Sequence, residues 1–339
     1  MSQNGKGADA VSQSQLHPEI LAIDCEAEAD RIARRMVEIV GRELRRRGVV
    51  IALSGGVDSS VCAALAVRAL GTSKIYGLML PERDSSDNSL TRARQVTECF
   101  GIAYGVQDIA PTLEALGCYH WRDEAIRRVF PDYASDWKSK ITIAGGRDGT
   151  FNYFKLVVQS PGGELREARL PLREYLQIVA ATSFKQRTRK MVEYFHADRL
   201  NYAVIGTPNR LEYDQGFFVK NGDGAADLKP IAHLYKTQVY ALARHLGIPE
   251  EICNAAPTTD TYSLQQGQDE FYFALPYDKM DVALWAHNNQ VAADELADYL
   301  GISPDQASFI YRDIESKRLT THYLHASPVL VEDVAEVIR

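Results

Sequence analysis

The stretch from Ser54 to Ser60 carries side chains whose types and spacing could do chemistry. Its sequence is Ser-Gly-Gly-Val-Asp-Ser-Ser. Gly55 and Gly56 permit a sharp turn that brings backbone N–H groups close to a ligand, and the serines add hydroxyl donors. Because a carboxylate repels phosphate unless a cation lies between them, Asp58 is predicted to bind Mg²⁺. The stretch is therefore predicted to hold pyrophosphate. The alternative is a solvent-facing Ser/Gly turn capped by Asp58.

The residues on either side of this stretch predict the elements that position it. Residues 49–53 form a short apolar run, which is typical of a strand buried on both faces. After the loop, Val61, Leu65 and Leu70 favour a helix. A helix that begins at the loop adds the positive end of its dipole to an anion site. No Gly-Lys-Ser/Thr follows, so the loop is not of the Walker type.

Strands and helices alternate along most of the chain. Strands are predicted at residues 74–80, 102–106 and 202–205, and helices at residues 24–47, 88–100, 188–196 and from about 284 onward. This alternation indicates an α/β fold, a doubly wound parallel sheet with flanking helices, of the Rossmann-like type. Ligands of such sheets bind beyond the carboxyl ends of the strands, which is where the Ser54–Ser60 loop is expected.

Two β-prone runs interrupt the alternation. Residues 151–158 and 164–170 flank Ser160-Pro161-Gly162-Gly163, a typical turn sequence. We predict a β-hairpin inserted into the main fold within about residues 130–180. The polar residues 1–16 are predicted to form a disordered tail, since they cannot bury enough apolar surface to become ordered. Residues 17–339 are predicted to form a single domain.

The composition limits the classes of function. The chain has 339 residues, a formal net charge of -7, a pI near 5.7 and 45% hydrophobic residues, values that fit a globular protein. The acidic balance argues against nucleic acid as a partner. No apolar run approaches the ~20 residues that span a bilayer, and the polar N-terminus is not a secretory signal. The five cysteines form no C-x-x-C pair, so we expect a cytoplasmic protein with reduced thiols.

Four downstream motifs narrow the possibilities. They are G-T-x-N-x-x-E at residues 206–212, G-F-F-x-K-x-G-D-G-x-A-D-L-x-P at 216–230, K-T-Q-V-Y at 236–240 and P-T-x-D at 257–260. Together with S-G-G-x-D-S at residues 54–59, their order and spacing resemble the NAD synthetase family, within the N-type ATP pyrophosphatases. The resemblance covers about residues 25–320 apart from the inserted hairpin.

This resemblance implies a reaction. The carboxylate of deamido-NAD (nicotinic acid adenine dinucleotide) would be adenylated by ATP with release of pyrophosphate, and ammonia would then displace AMP to give NAD. Glutamine-using members carry a nitrilase-like domain before the synthetase domain, so we expect use of free ammonia or of a separate glutaminase. The resemblance also implies a homodimer with a substrate site shared between chains. The alternatives are an amide ligase for another carboxylate, a non-catalytic nucleotide-binding regulator and a tRNA-modifying enzyme.

The resemblance assigns roles by position, with Asp58 and Glu212 as Mg²⁺ ligands and Asp58, Lys236 and Thr258 as the catalytic set. The implied ATP and pyrophosphate contacts are Ser54, Gly55, Gly56, Asp58, Ser59, Ser60, Thr207, Lys236 and Thr258. The implied deamido-NAD contacts are Arg187, Lys220, Asp227, Ser316 and Lys317, and Ser316 stands where the family has His. Alternatively, Lys220 and Lys236 are surface lysines, Asp227 caps a helix and Arg187 is a solvated helix residue.

Two further features depart from the family's pattern or add to it. The inserted hairpin is unusual for the short ammonia-dependent members, and it precedes Arg187, which would place it near the substrate entrance. After Asp260 the chain keeps a G-Q-x-E sequence but continues into Phe271-Tyr272-Phe273, where the family has E-L-G. Residues 80–86 resemble another flexible loop of the family.

Overall fold

A parallel sheet of four strands forms the centre of the computed structural model, which describes residues 16–144, 153–255, 262–264 and 275–335. The strand order is β3-β2-β1-β7, and every neighbouring pair is parallel. The strands of this sheet are β1 (Val49–Ala52), β2 (Ile75–Met79), β3 (Ala103–Val106) and β7 (Ala203–Ile205).

Helices connect these strands and continue to the C-terminal region. They are α1 (Cys25–Glu38), α2 (Val57–Leu70), α3 (Asp87–Phe100), α4 (Ala110–Ala115), α5 (Cys118–Val129), α6 (Leu172–Leu200), α7 (Arg210–Gln215), α8 (Lys236–His245), α9 (Glu250–Cys253), α10 (Tyr277–Asn288), α11 (Ala293–Leu300) and α12 (Pro304–His325). A π-helical turn, Ile39–Glu43, follows α1, and a 3-10 turn, Thr72–Lys74, precedes β2. None of the described helices is both long enough and apolar enough to cross a membrane.

Both faces of the central sheet are buried. Val49 and Ile51 of β1 belong to a core that also contains residues of α1, α2 and α8. Val50, between them, belongs to a second core that contains Leu113 of α4 and Ala197 of α6. Since successive strand residues point to opposite faces, helices cover the sheet on both sides. The predicted doubly wound α/β fold is confirmed.

The direction in which strands are added reverses next to β1. The chain adds β2 and then β3 on one side of β1, and later returns to place β7 on the other side. Such a reversal opens a crevice beyond the carboxyl ends of the two central strands. The loops that follow β1 and β7 begin at Leu53 and Gly206, so the motifs at residues 54–60 and 206–212 meet at this crevice.

The insertion is larger than the predicted hairpin. Strands β5 (Tyr153–Gln159) and β6 (Leu165–Arg169) form that hairpin, and β4 (Lys138–Ala144) extends it to an antiparallel sheet of order β4-β5-β6. Strand β4 was not predicted, because its sequence, Lys-Ser-Lys-Ile-Thr-Ile-Ala, begins with three polar residues and has only two large apolar ones. Ile141, Leu156 and Val158 of this sheet pack in a core with residues of α5 and α6.

Two predicted helices have different limits in the structure. Helix α6 spans 29 residues, whereas only 188–196 was predicted. Its buried side includes the charged residues Lys185, Lys190 and Glu193, which interrupt the apolar period on which the prediction depended. The helix predicted over 24–47 ends as α1 at Glu38 and continues only through the π-helical turn. Leu16, at the predicted limit of the tail, is buried against the C-terminal helices, and residues 1–15 lie outside the described residues.

Candidate active site

The loop after β1 makes a turn that requires glycine. Gly55 has φ +78°, and a Cβ at this position would lie 2.3 Å from the backbone carbonyl oxygen of Ser89. Gly56 is the N-cap of α2, so this helix begins directly at the turn. The unpaired N–H groups and the positive dipole end of α2 therefore lie at the carboxyl edge of the sheet, as an anion site requires.

The serines of the loop divide into two groups. The hydroxyls of Ser59 and Ser60 donate to the Gly56 carbonyl oxygen at 3.0 and 2.8 Å, and both residues are buried. Ser54 is exposed, and its Oγ lies 3.2 Å from Ser59 Oγ and accepts a hydrogen bond from the Gly56 N–H at 3.3 Å. In this structure Ser59 and Ser60 stabilise the turn, and Ser54 presents its hydroxyl at the surface.

Asp58 has a separate donor for each carboxylate oxygen. The Lys236 ammonium forms an ion pair with Asp58 Oδ2, and Asn209 Nδ2 donates to Oδ1 at 3.1 Å. Lys236 is only 1% exposed, so the alternative that it is an ordinary surface lysine is wrong. Burial alone would lower the pKa of Lys236, but Asp58 and Glu212 more than offset this and raise it. The lysine therefore stays cationic beside the glycine turn.

Glu212 is held close to Asp58 by the start of α7. Asn209 is the N-cap of this helix: its Oδ1 accepts from the Glu212 N–H at 3.2 Å, and Glu212 Oε2 accepts from the Asn209 N–H at 3.1 Å. Burial, together with the charge of Asp58, raises the pKa of Glu212 to about 8. The negative charge of Asp58 therefore disfavours ionisation of Glu212, and a cation between the two carboxylates would relieve this repulsion.

The donor set fits Mg²⁺ bound together with a phosphate ligand. Mg²⁺ prefers oxygen ligands and takes one or two carboxylates, completing its octahedron with water and phosphate oxygens. Asp58 and Glu212 supply two such carboxylates, and Lys236 balances part of their charge. Within the described residues, no group of three or more His, Cys, Asp and Glu side chains could hold a metal by itself.

The sequence was compared with protein families of known function. Residues 31–129 and 162–322 match the family described as NAD synthase. The chain belongs to the NAD synthase family. The resemblance found in the motifs is confirmed. The family match leaves out residues 130–161, which contain β4 and β5 of the inserted sheet.

Relatives and solved structures agree with this membership. The chain is 57% identical over 318 residues to the NH(3)-dependent NAD(+) synthetase of Rhizobium meliloti (strain 1021), covering 94% of this chain and 95% of the relative. It is 54% identical over 322 residues to that of Rhizobium rhizogenes (strain K84 / ATCC BAA-868), covering 95% and 97%. The NH3-dependent NAD synthetase of Campylobacter jejuni, solved with nitrate, has a similar fold: TM-score 0.60, 20% identity, 92% of this chain and all of that chain. The NMN synthetase of Francisella tularensis gives TM-score 0.60 at 20% identity, covering 91% and 98%.

Two residues that were not predicted from the sequence help to position the candidate site. Asn209 joins Asp58 to Glu212, and its Asn-x-x-Glu spacing is a capping-box signal that the sequence offered. Asp281 of α10 is fully buried and accepts hydrogen bonds from the N–H groups of Lys236 and Thr237 at 3.2 and 2.7 Å. Burial raises the pKa of Asp281 to about 6. No local pattern could have identified Asp281, because it caps α8 from 45 residues away.

Arg187 and Lys220, two of the residues predicted to contact deamido-NAD, lie side by side. Arg187 Nε donates to the Lys220 carbonyl oxygen at 3.2 Å. Lys220 Nζ donates to the carbonyl oxygens of Tyr323 and Ala326, at 2.6 and 3.1 Å, at the end of α12. Arg187 is exposed on α6, which fits the alternative that it is a solvated helix residue. Lys220 is not a free surface lysine, because its ammonium donates to two carbonyl oxygens. These contacts connect α6 to the C-terminal helix.

Asp227 supports the central sheet. Its Oδ2 accepts from the Val204 N–H at 2.7 Å, and Tyr194 donates its hydroxyl to Oδ1 at 3.4 Å. The alternative in which Asp227 caps a helix is wrong, since Asp227 instead binds the backbone of β7. Thr207 follows β7 beside Gly206, where a Cβ would lie 2.7 Å from Ala226 Cβ. This close approach sets the path of the chain that carries Thr207.

Three predicted positions remain: Ser316, Lys317 and Thr258. Ser316 and Lys317 are on α12, where Ser316 is exposed and Lys317 Nζ pairs with Asp313 Oδ2 at 2.6 Å. Thr258, predicted as a catalytic and ATP-binding residue, lies outside the described residues, as do the others from 256 to 261. The structure thus brings together the loop, Asp58, Glu212 and Lys236, and leaves α12 with an exposed face.

Proposed function

We propose that the protein makes NAD from deamido-NAD, ATP and ammonia, as an AMP-forming amide ligase. The observation that carries the proposal is the buried Lys236–Asp58 ion pair next to Glu212, at a glycine turn beyond the carboxyl end of β1. Family membership and the identity of 54–57% to NH(3)-dependent NAD(+) synthetases support the substrate and the nitrogen donor.

The reaction balances in two steps. A carboxylate oxygen of deamido-NAD attacks the α-phosphorus of ATP, and the bond to the bridging oxygen breaks, so that pyrophosphate leaves with the electron pair. Ammonia then attacks the acyl carbon and AMP leaves, which gives the amide and releases one proton. A carboxylate is a poor acyl donor because its leaving group would be oxide, and AMP is a far better leaving group.

The residues of the chain support these steps by positioning and charge. The N–H groups of the turn and the start of α2 bind phosphate oxygens, and Lys236 neutralises charge that develops on the departing pyrophosphate. Asp58 and Glu212 would hold Mg²⁺, which would screen the negative charge of the phosphates. No nucleophilic side chain is needed, because ATP itself supplies the group that activates the carboxylate.

We further propose that the protein acts as a homodimer. Helix α12 presents Leu319 and Tyr323 at 80% and 62% exposure, four residues apart and on the side that carries Ser316. Such exposed apolar side chains are typical of a surface that another chain covers. In the family, a second copy contributes this helix to the substrate site, which would bring Ser316 and Lys317 to the partner's deamido-NAD.

Subunit complementation tests the shared site. Asp58→Asn and Lys317→Ala should each inactivate the dimer alone. When the two variants are unfolded and refolded together, half of the dimers combine both chains, and each of these contains one intact site, so about a quarter of the wild-type activity should return. Light scattering gives the oligomeric state. If the mixture stays inactive, or if an active monomer is found, each site is built from one chain.

The main experiment measures the products of the purified protein. With Mg²⁺, ATP, deamido-NAD and ammonium, chromatography should detect NAD, AMP and pyrophosphate in equal amounts, and Asp58→Asn should abolish all three. Glutamine in place of ammonium should give little NAD unless a separate glutaminase is added. AMP formed with nicotinate mononucleotide but not with deamido-NAD would favour the second candidate, a ligase for another carboxylate, as with the NMN synthetase of similar fold. We place the reaction in the cytoplasm, where five free cysteines stay reduced.

A further inference from the structure

The segment that carries Lys220 is packed between two helices. Gly216, with φ +68°, approaches α12 so closely that a Cβ at this position would lie 2.3 Å from Thr321 Cβ. On the other side of the segment, a Cβ at Gly222 would lie 2.8 Å from Gln186 Cβ of α6. These two glycines therefore allow the backbone of the segment to fit between α6 and α12.

The end of α12 sets the position of the Lys220 ammonium. Lys220 Nζ donates to the carbonyl oxygens of Tyr323 and Ala326 at 2.6 and 3.1 Å, and it lies 4.8 Å from the centre of the Tyr323 ring. Tyr323 is in the last turn of α12 and Ala326 is its C-cap, where helical carbonyl groups accept hydrogen bonds from side chains. An ammonium has three donors, so Lys220 keeps one for a ligand after it has donated to two carbonyls.

His325 holds the end of α12 against the same segment. Its ring meets the rings of Tyr213 and Phe218 edge to face, with centroids 4.8 and 5.0 Å apart. Tyr213 is on α7, and Phe218 precedes Lys220 by two residues. His325 thus connects the carbonyl acceptors of Lys220 to the segment that carries Lys220. The family match ends at residue 322, so His325 lies beyond the part of the chain that the family describes.

We propose that His325 is a positioning residue for deamido-NAD and that it acts through Lys220. His325 holds the end of α12, and the end of α12 holds the ammonium that is predicted to contact the anionic substrate. A side chain that is fixed before binding loses less conformational entropy when the substrate arrives, which strengthens binding. The proposal rests on the proposed function, since the substrate role of Lys220 comes from the family.

The test removes the aromatic contacts of His325 in the full-length protein and measures steady-state kinetics. His325→Ala should raise the KM for deamido-NAD about three- to tenfold, the effect expected from the loss of one or two aromatic contacts. The kcat and the KM for ATP should stay within about twofold, because only binding of deamido-NAD is affected. Since His325 is exposed, its replacement should leave the protein folded.

Two matched variants separate positioning from a general effect on α12. His325→Phe keeps a ring that can pack edge to face on Tyr213 and Phe218, so it should restore most of the lost binding of deamido-NAD. His322→Ala replaces an exposed histidine of the same helix and should leave the KM for deamido-NAD unchanged.

A double variant tests whether His325 acts through Lys220. Lys220→Ala should raise the KM for deamido-NAD by itself, and adding His325→Ala should raise it no further. The proposal is overturned if His325→Ala leaves this KM unchanged, if His325→Phe is equally impaired, or if the effects of the two alanine substitutions multiply. A lower KM in His325→Ala would also overturn it, because the end of α12 would then block the substrate. A failure of the proposed function appears separately, as a wild type that makes no NAD.

Discussion

Asn209 provides the sharpest test of how the candidate site is held together. It is only 1% exposed and makes two side-chain hydrogen bonds: Nδ2 donates to Asp58, and Oδ1 accepts from the Glu212 N–H that begins α7. Two substitutions separate these roles. Asn209→Ala removes both bonds, whereas Asn209→Ser keeps a good N-cap but is too short to reach Asp58.

The structure sets the expected magnitudes. Loss of an N-cap lowers the free energy of unfolding by about 1 kcal/mol, so Asn209→Ala should be less stable than Asn209→Ser by about that amount. A hydrogen bond to a charged group contributes about 1.5–3 kcal/mol. If the transition state needs Asp58 in its present orientation, both variants should lose roughly 10- to 150-fold in kcat/KM for ATP.

Two assays separate the effect of Asn209 on stability from its effect on activity. Urea unfolding followed by tryptophan fluorescence gives the stability of each variant, and NAD formation at limiting ATP gives kcat/KM. The reasoning predicts that Asn209→Ser recovers stability and not activity. Wild-type activity in Asn209→Ser would show that the bond to Asp58 has no catalytic role, and equal stability of the two variants would show that the cap contributes nothing.

Three further predictions concern the glycine turn and a buried ion-pair network. Gly55→Ala places a Cβ 2.3 Å from the Ser89 carbonyl oxygen, at a residue whose φ is +78°. Binding of an ATP analogue, measured by calorimetry, should therefore weaken more than tenfold. Circular dichroism should show that the variant is still folded. Lys185→Met leaves buried Glu82 without its cation and should lower the free energy of unfolding by about 3–5 kcal/mol. Adding Glu82→Gln should restore most of that free energy. If the destabilising effects of the two substitutions simply add in the double variant, the pairing is refuted. Burial alone would raise the pKa of Asp84, but Lys185 and a buried arginine hold this pKa below its ordinary value. The ionised Asp84 therefore stabilises the fold above about pH 4, and this stability is lost as the pH falls further. In Lys185→Met, the urea concentration at the midpoint of unfolding should fall less steeply with decreasing pH.

Local signals explain which parts of the fold were predictable. The strand, glycine turn and helix over residues 49–70 follow from short-range patterns, and the structure has all three. Strand β4 and most of α6 were missed because their burial is set by distant contacts. Lys185 of α6, for example, is buried through its pairing with Glu82 and Asp84, and a sequence period based on apolar residues cannot detect that.

In the candidate site too, residues within local motifs were predictable and residues that act through distant contacts were not. Asp58, Glu212 and Lys236 were found because each lies in a motif with fixed spacing. In the structure Lys236 pairs with Asp58, and the charges of both residues act on Glu212. Asp281, which caps the helix that carries Lys236, was missed because no motif includes it. The hydrogen bond between Lys220 and the end of α12 likewise joins residues 103 positions apart.

The transfer of a carboxylate oxygen to AMP tests most directly whether the carboxylate of deamido-NAD attacks ATP. Deamido-NAD labelled with ¹⁸O in its carboxylate, incubated with the protein, Mg²⁺, ATP and ammonium, should pass one labelled oxygen to the phosphate of AMP. Mass spectrometry of the products should then show AMP that contains one ¹⁸O atom and pyrophosphate that contains none. Unlabelled AMP, or label in pyrophosphate, would contradict attack of the carboxylate on the α-phosphorus at the site formed by Asp58, Glu212 and Lys236.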